Sequence, residues 1–185
     1  MATQKEIFFQ NKLVEDAKRK PRKFKYLYEM FHNDIYYFIL NRCHNEHTAA
    51  DLCSQTFLKA MINLPKYEFK GLPFSAWLYR IAMNEINLFY RNSNKNRDVS
   101  IEESVLPELI EETEFQYSEE SIDLLLESIN ELKEQEVELL ELRYFEKRSV
   151  KEVSAILGMS ESNVKTKTFR IIKKLSTLMK DNNEE

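Results

Sequence analysis

Residues 149–175, SVKEVSAILGMSESNVKTKTFRIIKKL, predict two amphipathic helices joined by a short turn. Ser149 is a good N-cap for the first helix, and Glu152 three residues later completes a capping box. Gly158 can adopt the left-handed backbone conformation that ends this helix. Ser160 can then cap a longer second helix. This order of features is typical of a helix-turn-helix.

The second helix of the pair combines an apolar stripe with a basic face. Its predicted inward residues are Val164, Thr168, Ile171, Ile172 and Leu175. Residues 159–180 carry six Lys or Arg and one acid, and Asn, Arg, Ser, Thr and Lys side chains bind base edges or phosphates. We predict DNA contacts for Ser160, Ser162, Asn163, Lys165, Thr166, Lys167 and Arg170. The alternative is an ordinary helical hairpin with a solvated basic face.

The composition of the whole chain predicts an all-α fold. Its 185 residues include two glycines and four prolines, with 43% hydrophobic and 31% charged residues. Sandwiches, barrels and phosphate-binding loops need more turn residues or clustered glycines, so these folds are disfavoured. The net charge of −4 argues against a generic nucleic-acid coat, which makes the basic face a local feature.

The same composition bears on the cellular compartment. Two cysteines make no disulfide framework. No apolar run approaches the length of a membrane span, and the N-terminus lacks the apolar core of a signal peptide. We therefore expect a cytoplasmic protein without membrane insertion.

Three helices are predicted upstream, with the basic residues 1–25 contributing to a small bundle. The first helix has apolar residues at helical spacing, namely Phe24, Leu27, Tyr28, Phe31, Ile35, Phe38 and Ile39. The second is capped by Thr48, and its inward residues are Ala50, Cys53, Phe57, Ala60, Met61 and Leu64. The third begins at Pro73 and runs to about Arg91, with inward residues Phe74, Trp77, Leu78, Ile81, Ala82 and Phe89.

An acidic stretch separates the two helical regions. Residues 98–120 contain nine acids and no Lys or Arg, and self-repulsion favours an extended, mobile chain. Its few apolar residues leave room for partial docking. We predict a three- to four-helix bundle at 1–95, an acidic flexible linker at 96–120 and the helix-turn-helix domain at 121–185.

The first helical domain carries a second predicted nucleic-acid site. One face of its third helix is polar, with residues at i, i+4, i+7 and i+11: Arg80, Asn84, Asn87 and Arg91. The loop 67–71 beside it presents Tyr67, Phe69 and Lys70. Unstacked bases need rings for stacking and cations for phosphates. The alternative is a solvated face, with the two aromatics covering the end of the bundle and Trp77 in the core.

The order of these features resembles a bacterial sigma factor of the extracytoplasmic-function group. Residues 24–91, with AADLCSQTFLKA at 49–60 and PFSAWLYRIAMNEINLFYR at 73–91, resemble conserved region two. Residues 128–175 resemble region four, and the acidic stretch occupies the place of the family's linker. The resemblance implies an initiation factor that binds core RNA polymerase and directs it to promoters through −10 and −35 elements.

The resemblance also implies roles for particular positions. The helix after residue 49 matches the part that docks on the β′ clamp helices, with candidate contacts Asp51, Gln55, Phe57 and Leu58. The loop 67–71 matches the element that captures a flipped −10 base, and the Arg80–Arg91 row matches the part along that strand. The helix from Ser160 matches the −35 reader, and region four also packs on the β flap. An anti-sigma factor is an implied partner, and we expect a monomer when the protein is free.

Two positions depart from the family pattern. Ser154 stands where Ala is common, and Asn87 where Asp is common.

Two other functions are alternatives to this one. A dimeric helix-turn-helix regulator acting on operators without polymerase is one alternative. A metal site or enzyme is the other, built on Cys43, His44, His47 and Cys53. We expect neither a metal, a cofactor nor catalysis, because Cys53 is on an inward face and no catalytic motif occurs.

Overall fold

A computed structural model describes residues 3–93 and 106–183 of the chain. All regular elements in these ranges are helical, which confirms the predicted all-α class. The helices are α1 Gln4–Arg19, α2 Phe24–Cys43, α3 Glu46–Asn63, α4 Phe74–Ser93, α5 Leu106–Glu112, α6 Glu119–Asn130, α7 Glu134–Leu140, α8 Val150–Leu157 and α9 Glu161–Asn183. Short 3₁₀ turns lie at Pro21–Lys23 and Leu64–Lys66, and a π turn, Glu141–Phe145, follows α7.

The chain divides into two compact units. Of the described residues, the first unit contains 3–93 and 155–157, and the second contains 106–154 and 158–183. In the first unit α2 packs against α1, α3 and α4. In the second, α9 packs against α6 and α7. Each unit therefore carries one predicted DNA-contacting element.

The apolar stripe of α2 forms the centre of the first core. Leu27, Phe31, Ile35, Phe38 and Ile39 are each at most 5% exposed, as predicted. Tyr28 was predicted to be inward and is 41% exposed, which corrects that assignment.

The predicted set of inward residues on α3 is wrong at two positions. The buried stripe is centred on Cys53, Phe57 and Ala60, whereas Ala50 and Met61 are exposed. Those two residues therefore lie outside the buried stripe of α3. The helix also begins earlier than predicted, because Asn45 rather than Thr48 is its N-cap and accepts a hydrogen bond from Thr48 N at 2.9 Å.

The basic N-terminal segment forms a helix of its own, which was not predicted from the sequence as a distinct element. Helix α1 begins with a capping box in which Thr3 and Glu6 bond each other's backbone. Its inward residues Gln10, Val14 and Ala17 are at most 9% exposed. The Thr-x-x-Glu spacing was a signal in the sequence that could have located this helix.

Part of the predicted linker is helical. Leu106, Leu109 and Ile110 of α5 are buried, and Tyr144 Oη donates to Glu112 Oε2 at 2.5 Å. The i, i+3, i+4 spacing lets three apolar side chains leave water while the glutamates stay exposed. Residues 96–105 of the predicted linker lie outside the described residues, and the boundaries of the three segments stay a prediction.

Candidate nucleic-acid interfaces

The turn between α8 and α9 is closed by bonds between near neighbours. Ser149 and Glu152 form the predicted capping box, with Glu152 N bonded to Ser149 Oγ at 3.2 Å. Gly158 has φ of 68°, which is the left-handed conformation predicted for it. Asn163 N donates to Ser160 Oγ at 3.2 Å, so Ser160 caps α9. These local bonds set the start of α9 relative to the turn.

Ser154 has a structural role in that turn. Its hydroxyl donates to the carbonyl of Met159 at 2.5 Å, and Met159 N donates back to the Ser154 carbonyl at 3.1 Å. The two bonds join the last turn of α8 to the residue after Gly158. Where the family often has Ala, this chain therefore adds a side-chain bond across the turn.

The first half of α9 presents the predicted polar face to solvent. Ser160, Ser162, Asn163, Lys165, Thr166 and Arg170 are exposed, and Lys167 is half-buried. On the opposite side Val164, Ile171, Ile172 and Leu175 are buried, as predicted. Phe169 was not among the predicted site residues and is 69% exposed on the same helix. A large exposed apolar residue beside a basic face is a contact candidate, and the sequence analysis assigned it neither to the inward stripe nor to the DNA-contacting face.

The loop after α3 has a buried base and an exposed tip. Tyr67 is only 9% exposed, and its ring lies 5.3 Å from that of Phe74 and 5.0 Å from that of Trp77. Burial raises the pKa of Tyr67 to about 12. Tyr67 thus anchors the loop, in agreement with the alternative in which it covers the end of the bundle, and its stacking on a base stays a prediction. Phe69 is half-buried and Lys70 is exposed, so these two carry the accessible chemistry.

Gly71 forms the bend at the tip of this loop. Its φ is 70°, a conformation that disfavours residues with a Cβ. An added Cβ would meet no atom within 4 Å, so the loop faces open space at this point. Glycine is needed here for backbone conformation rather than for close packing.

The polar row on α4 is largely available to a ligand. Arg80, Asn84 and Arg91 are exposed and Asn87 is half-buried. Glu85, on the same helix, is 4% exposed, and both of its carboxylate oxygens lie 2.6 Å from Lys59 Nζ. This α3–α4 ion pair takes a carboxylate away from the exposed face. The remaining face is cationic and amide-rich, which suits a phosphate backbone.

The exposed face of α3 differs in composition from the predicted polymerase-binding face. Asp51, Gln55 and Leu58 are exposed as predicted for contacts. Phe57 is 3% exposed, and its ring meets that of Tyr28 edge to face at 4.8 Å between centroids. Phe57 is therefore a core residue. An exposed apolar patch was missed here, consisting of Leu58, Met61 and Ile62, which are 45–64% exposed. Contiguous exposed apolar side chains mark surfaces that bind partners.

The cysteine and histidine cluster has the properties of ordinary structural residues. Cys53 is 1% exposed, and burial raises its thiol pKa to about 11. His44 ends α2 with φ of 48° and is exposed. Over residues 3–93 and 106–183, no group of three His, Cys, Asp or Glu is arranged to hold a metal ion. A search of the same ranges finds no helix long and apolar enough to cross a membrane.

The chain has two helical units, and the exposed polar rows of α4 and α9 lie one in each unit. The Sigma-70 region 2 family matches residues 27–96, and the Sigma-70, region 4 family matches residues 122–175. The predicted residues of α4 and α9 fall within these two matches. The chain belongs to the extracytoplasmic-function RNA polymerase sigma factors, which are transcription initiation factors that bind core polymerase and direct it to promoters.

Curated relatives agree over most of the chain. YlaC of Bacillus subtilis, an RNA polymerase sigma factor, is 30% identical over 163 residues, covering 86% of this chain and 93% of YlaC. SigM of the same organism is 29% identical, covering 82% and 92%. BldN of Streptomyces coelicolor is 30% identical over 91% of this chain but 65% of BldN. The chain thus spans just under two thirds of BldN and more than nine tenths of the two Bacillus proteins.

Solved structures share the fold. CnrH in complex with the cytosolic domain of CnrY has a TM-score of 0.60 at 21% identity, covering 93% of this chain and 97% of CnrH. The sigma factor RpoE of Bartonella quintana, in complex with the anti-sigma factor NepR, has a TM-score of 0.58 at 21% identity. That match covers 86% of this chain and 98% of RpoE.

Proposed function

We propose that the two units recognise the two elements of one promoter while the apolar patch of α3 binds core polymerase. The supporting observation is that the exposed polar rows of α4 and α9 lie in the segments matched as regions two and four. Their cationic character is local, because the chain as a whole carries a net charge of −4. Two weak DNA contacts on one chain reinforce each other through effective concentration.

In the first unit, Phe69 and Lys70 would receive a base that has left the stack at the −10 element. Stacking on an aromatic ring is worth about 1–3 kcal/mol per base, which offsets an unstacking cost of similar size. Arg80, Asn84 and Arg91 would follow the phosphates of the same strand. The half-buried Asn87 would contribute less than the other members of the row.

In the second unit, the start of α9 would enter the major groove at the −35 element. Asn163 can bond adenine and Arg170 can bond guanine, while Lys165 and Lys167 serve phosphates or bases. Ser160, Ser162 and Thr166 complete the exposed surface. Because α9 is held by the turn after Gly158, its first residues present a defined face to the groove.

The patch Leu58, Met61 and Ile62, with Asp51 and Gln55 beside it, would dock on the β′ clamp helices. The second unit would meet the β flap. An anti-sigma factor would compete for such a surface, since exposed apolar residues serve whichever partner covers them. The chain would act in the cytoplasm, as a monomer when free, and the polymerase would carry out all of the catalysis.

Run-off transcription with core polymerase tests this function. Adding the protein should produce new, discrete start sites on genomic fragments, and the upstream sequences should share two spaced elements. Arg170→Ala should weaken use of the −35 element about tenfold and relax one base position, as a lost bidentate contact does. Lys173→Ala, an exposed change farther along α9, is the matched control.

Two further results would decide against the proposal. One is the absence of new start sites with core polymerase. The other is sequence-specific binding of the protein alone to a palindromic operator, which is the behaviour of a dimeric regulator.

Leu58→Glu tests the apolar patch of α3. It should reduce binding to core polymerase without changing DNA specificity, and an unchanged affinity for core polymerase would remove the α3 patch from the proposed interface.

A further inference from the structure

We propose that α1 positions the loop 67–73 for base capture through Gln10, Lys18 and Phe8. The inference rests on the function proposed above for Phe69 and Lys70. Helix α1, Gln4–Arg19, lies before residue 27, where the region 2 match begins. It adds three positioning residues from a segment that lies outside both family matches.

Two long-range bonds hold the ends of the loop to this one helix. Lys18 Nζ donates to the carbonyl of Tyr67 at 2.7 Å, and Phe74 N donates to Gln10 Oε1 at 2.9 Å. The second bond is buried, since Gln10 is 9% and Phe74 1% exposed. Gln10 and Lys18 are eight residues apart, or about 12 Å along the axis of an α-helix. A rigid helix therefore sets the span between the two ends of the loop.

A third contact reaches the middle of the loop. The ring of Phe8 lies 6.1 Å from that of Phe69, at an interplanar angle of 51°. Phe8 is 57% exposed, so the contact forms at the surface rather than in the core. Phe69 is only half-buried and can still meet a ligand. Phe8 supports the ring that the proposed function assigns to stacking.

The position of the loop matters for discrimination between bases more than for affinity. Residues 68–73 form no helix and contain Gly71 at φ of 70°, so they have little local structure to hold them. A recognition site discriminates only when its groups are held within about 0.5 Å of their productive geometry. The contacts from α1 supply that restraint from outside the loop.

The test measures base discrimination by full-length holoenzyme on promoters whose −10 region is already unpaired. Four promoters carry each of the four bases at the flipped position, and the ratio of run-off product is the readout. Gln10→Met, Lys18→Met and Phe8→Ala should each reduce the preference for the favoured base about five- to tenfold, the equivalent of one net hydrogen bond or ring contact. Lys18→Arg keeps a donor and should restore most of it.

Matched controls lie on the same helix. Lys12→Met removes an exposed lysine, and Phe9→Ala removes an aromatic side chain that is 54% exposed. Both should keep the wild-type ratio. Trp77, the single tryptophan of the chain, packs on Tyr67 and reports the loop by fluorescence. Its emission should shift in Lys18→Met and stay unchanged in Lys12→Met.

The outcomes separate this inference from the proposed function. Equal losses on all four promoters, with an unchanged ratio, would mean that α1 only stabilises the bundle and would overturn the inference. If Phe69→Ala leaves the ratio unchanged as well, the function proposed for the loop fails. Should Gln10→Met not fold, the surface variants Lys18→Met and Phe8→Ala decide the question, and an unchanged ratio in both overturns it.

Discussion

The two elements proposed to contact DNA are held in place by different kinds of contact. The turn before α9 is closed by bonds between residues three to five apart, such as Ser154 to Met159. The loop 67–73 is held by bonds between residues 49 and 64 apart. The first element carries its own restraints, whereas the second depends on a distant helix. A substitution in the core of the first unit should therefore displace the loop 67–73. A substitution in the core of the second unit should displace the turn before α9 less, because that turn is held by its own local bonds.

The largest expected effect comes from Phe74→Ala. Phe74 is 1% exposed and its ring contacts Phe31, Tyr67 and Trp77. Truncating a buried Phe costs about 3–5 kcal/mol, and the loop anchor is lost with it. Urea unfolding followed by Trp77 fluorescence measures the change. Phe9→Ala should stay within about 0.5 kcal/mol of wild type, and equal losses in the two variants would contradict the burial argument.

Next in size is Lys59→Met, which breaks the pair between α3 and α4. Glu85 would remain 4% exposed without its cation, at a cost of about 2 kcal/mol. Lys147→Met is the counterpart in the second unit. Its pair with Glu108 is about half exposed on both sides, so the expected change is under about 1 kcal/mol. Chemical denaturation of both variants measures the free energy of unfolding lost with each ion pair. A larger loss for Lys147→Met than for Lys59→Met would be inconsistent with this comparison.

A smaller effect is expected for the local bonds of the turn. Ser149→Ala removes the N-cap of α8 and should cost about 1 kcal/mol. Ser149→Thr keeps a capping hydroxyl and should recover most of it. In run-off assays Ser149→Ala should reduce −35 use, Ser149→Thr should stay close to wild type, and neither should change the −10 base ratio. A changed −10 ratio would show that the two elements are not held independently.

The smallest effect belongs to a long-range bond in the second unit. Burial opposes ionisation of Glu136, but the bonds from Lys133 N and Lys174 Nζ prevail and lower its pKa below 4.5. A carboxyl group whose pKa is lowered in the folded state stabilises the fold at pH values above its ordinary pKa. That stabilisation is lost as the pH falls through the folded-state pKa. Glu136→Gln should therefore cost up to about 1 kcal/mol at neutral pH, and this cost should vanish once the pH has fallen below the lowered pKa of Glu136.

Thermal melts across that pH range measure the Glu136 contribution. Glu134→Gln is the control, because Glu134 is in the same first turn of α7 and is exposed. A gap between wild type and Glu136→Gln that persists at low pH would rule out the ion pair as its source.

The comparison also explains which parts of the molecule were predictable. The caps of α8 and α9, the left-handed Gly158 and the buried stripes of α2 and α9 depend on spacings of three to five residues. These were predicted, apart from Tyr28 on the α2 stripe. Helix α5 was not, because the prediction weighted its glutamates over Leu106, Leu109 and Ile110. Burial was not predicted for the candidate contact residues Phe57 and Tyr67, which are 3% and 9% exposed. An aromatic residue can serve either role, and its neighbours decide which.

The sequence by itself determined the all-α class, the helix-turn-helix and the polar rows on α4 and α9, because caps, turns and helical faces follow from residues a few positions apart. Only the tertiary structure decided that α1 braces the loop 67–73, that Lys59 neutralises Glu85, and that Leu58, Met61 and Ile62 stay exposed. Those outcomes depend on which faces meet when helices pack. Packing is set by contacts between residues distant along the chain, and no local spacing records them.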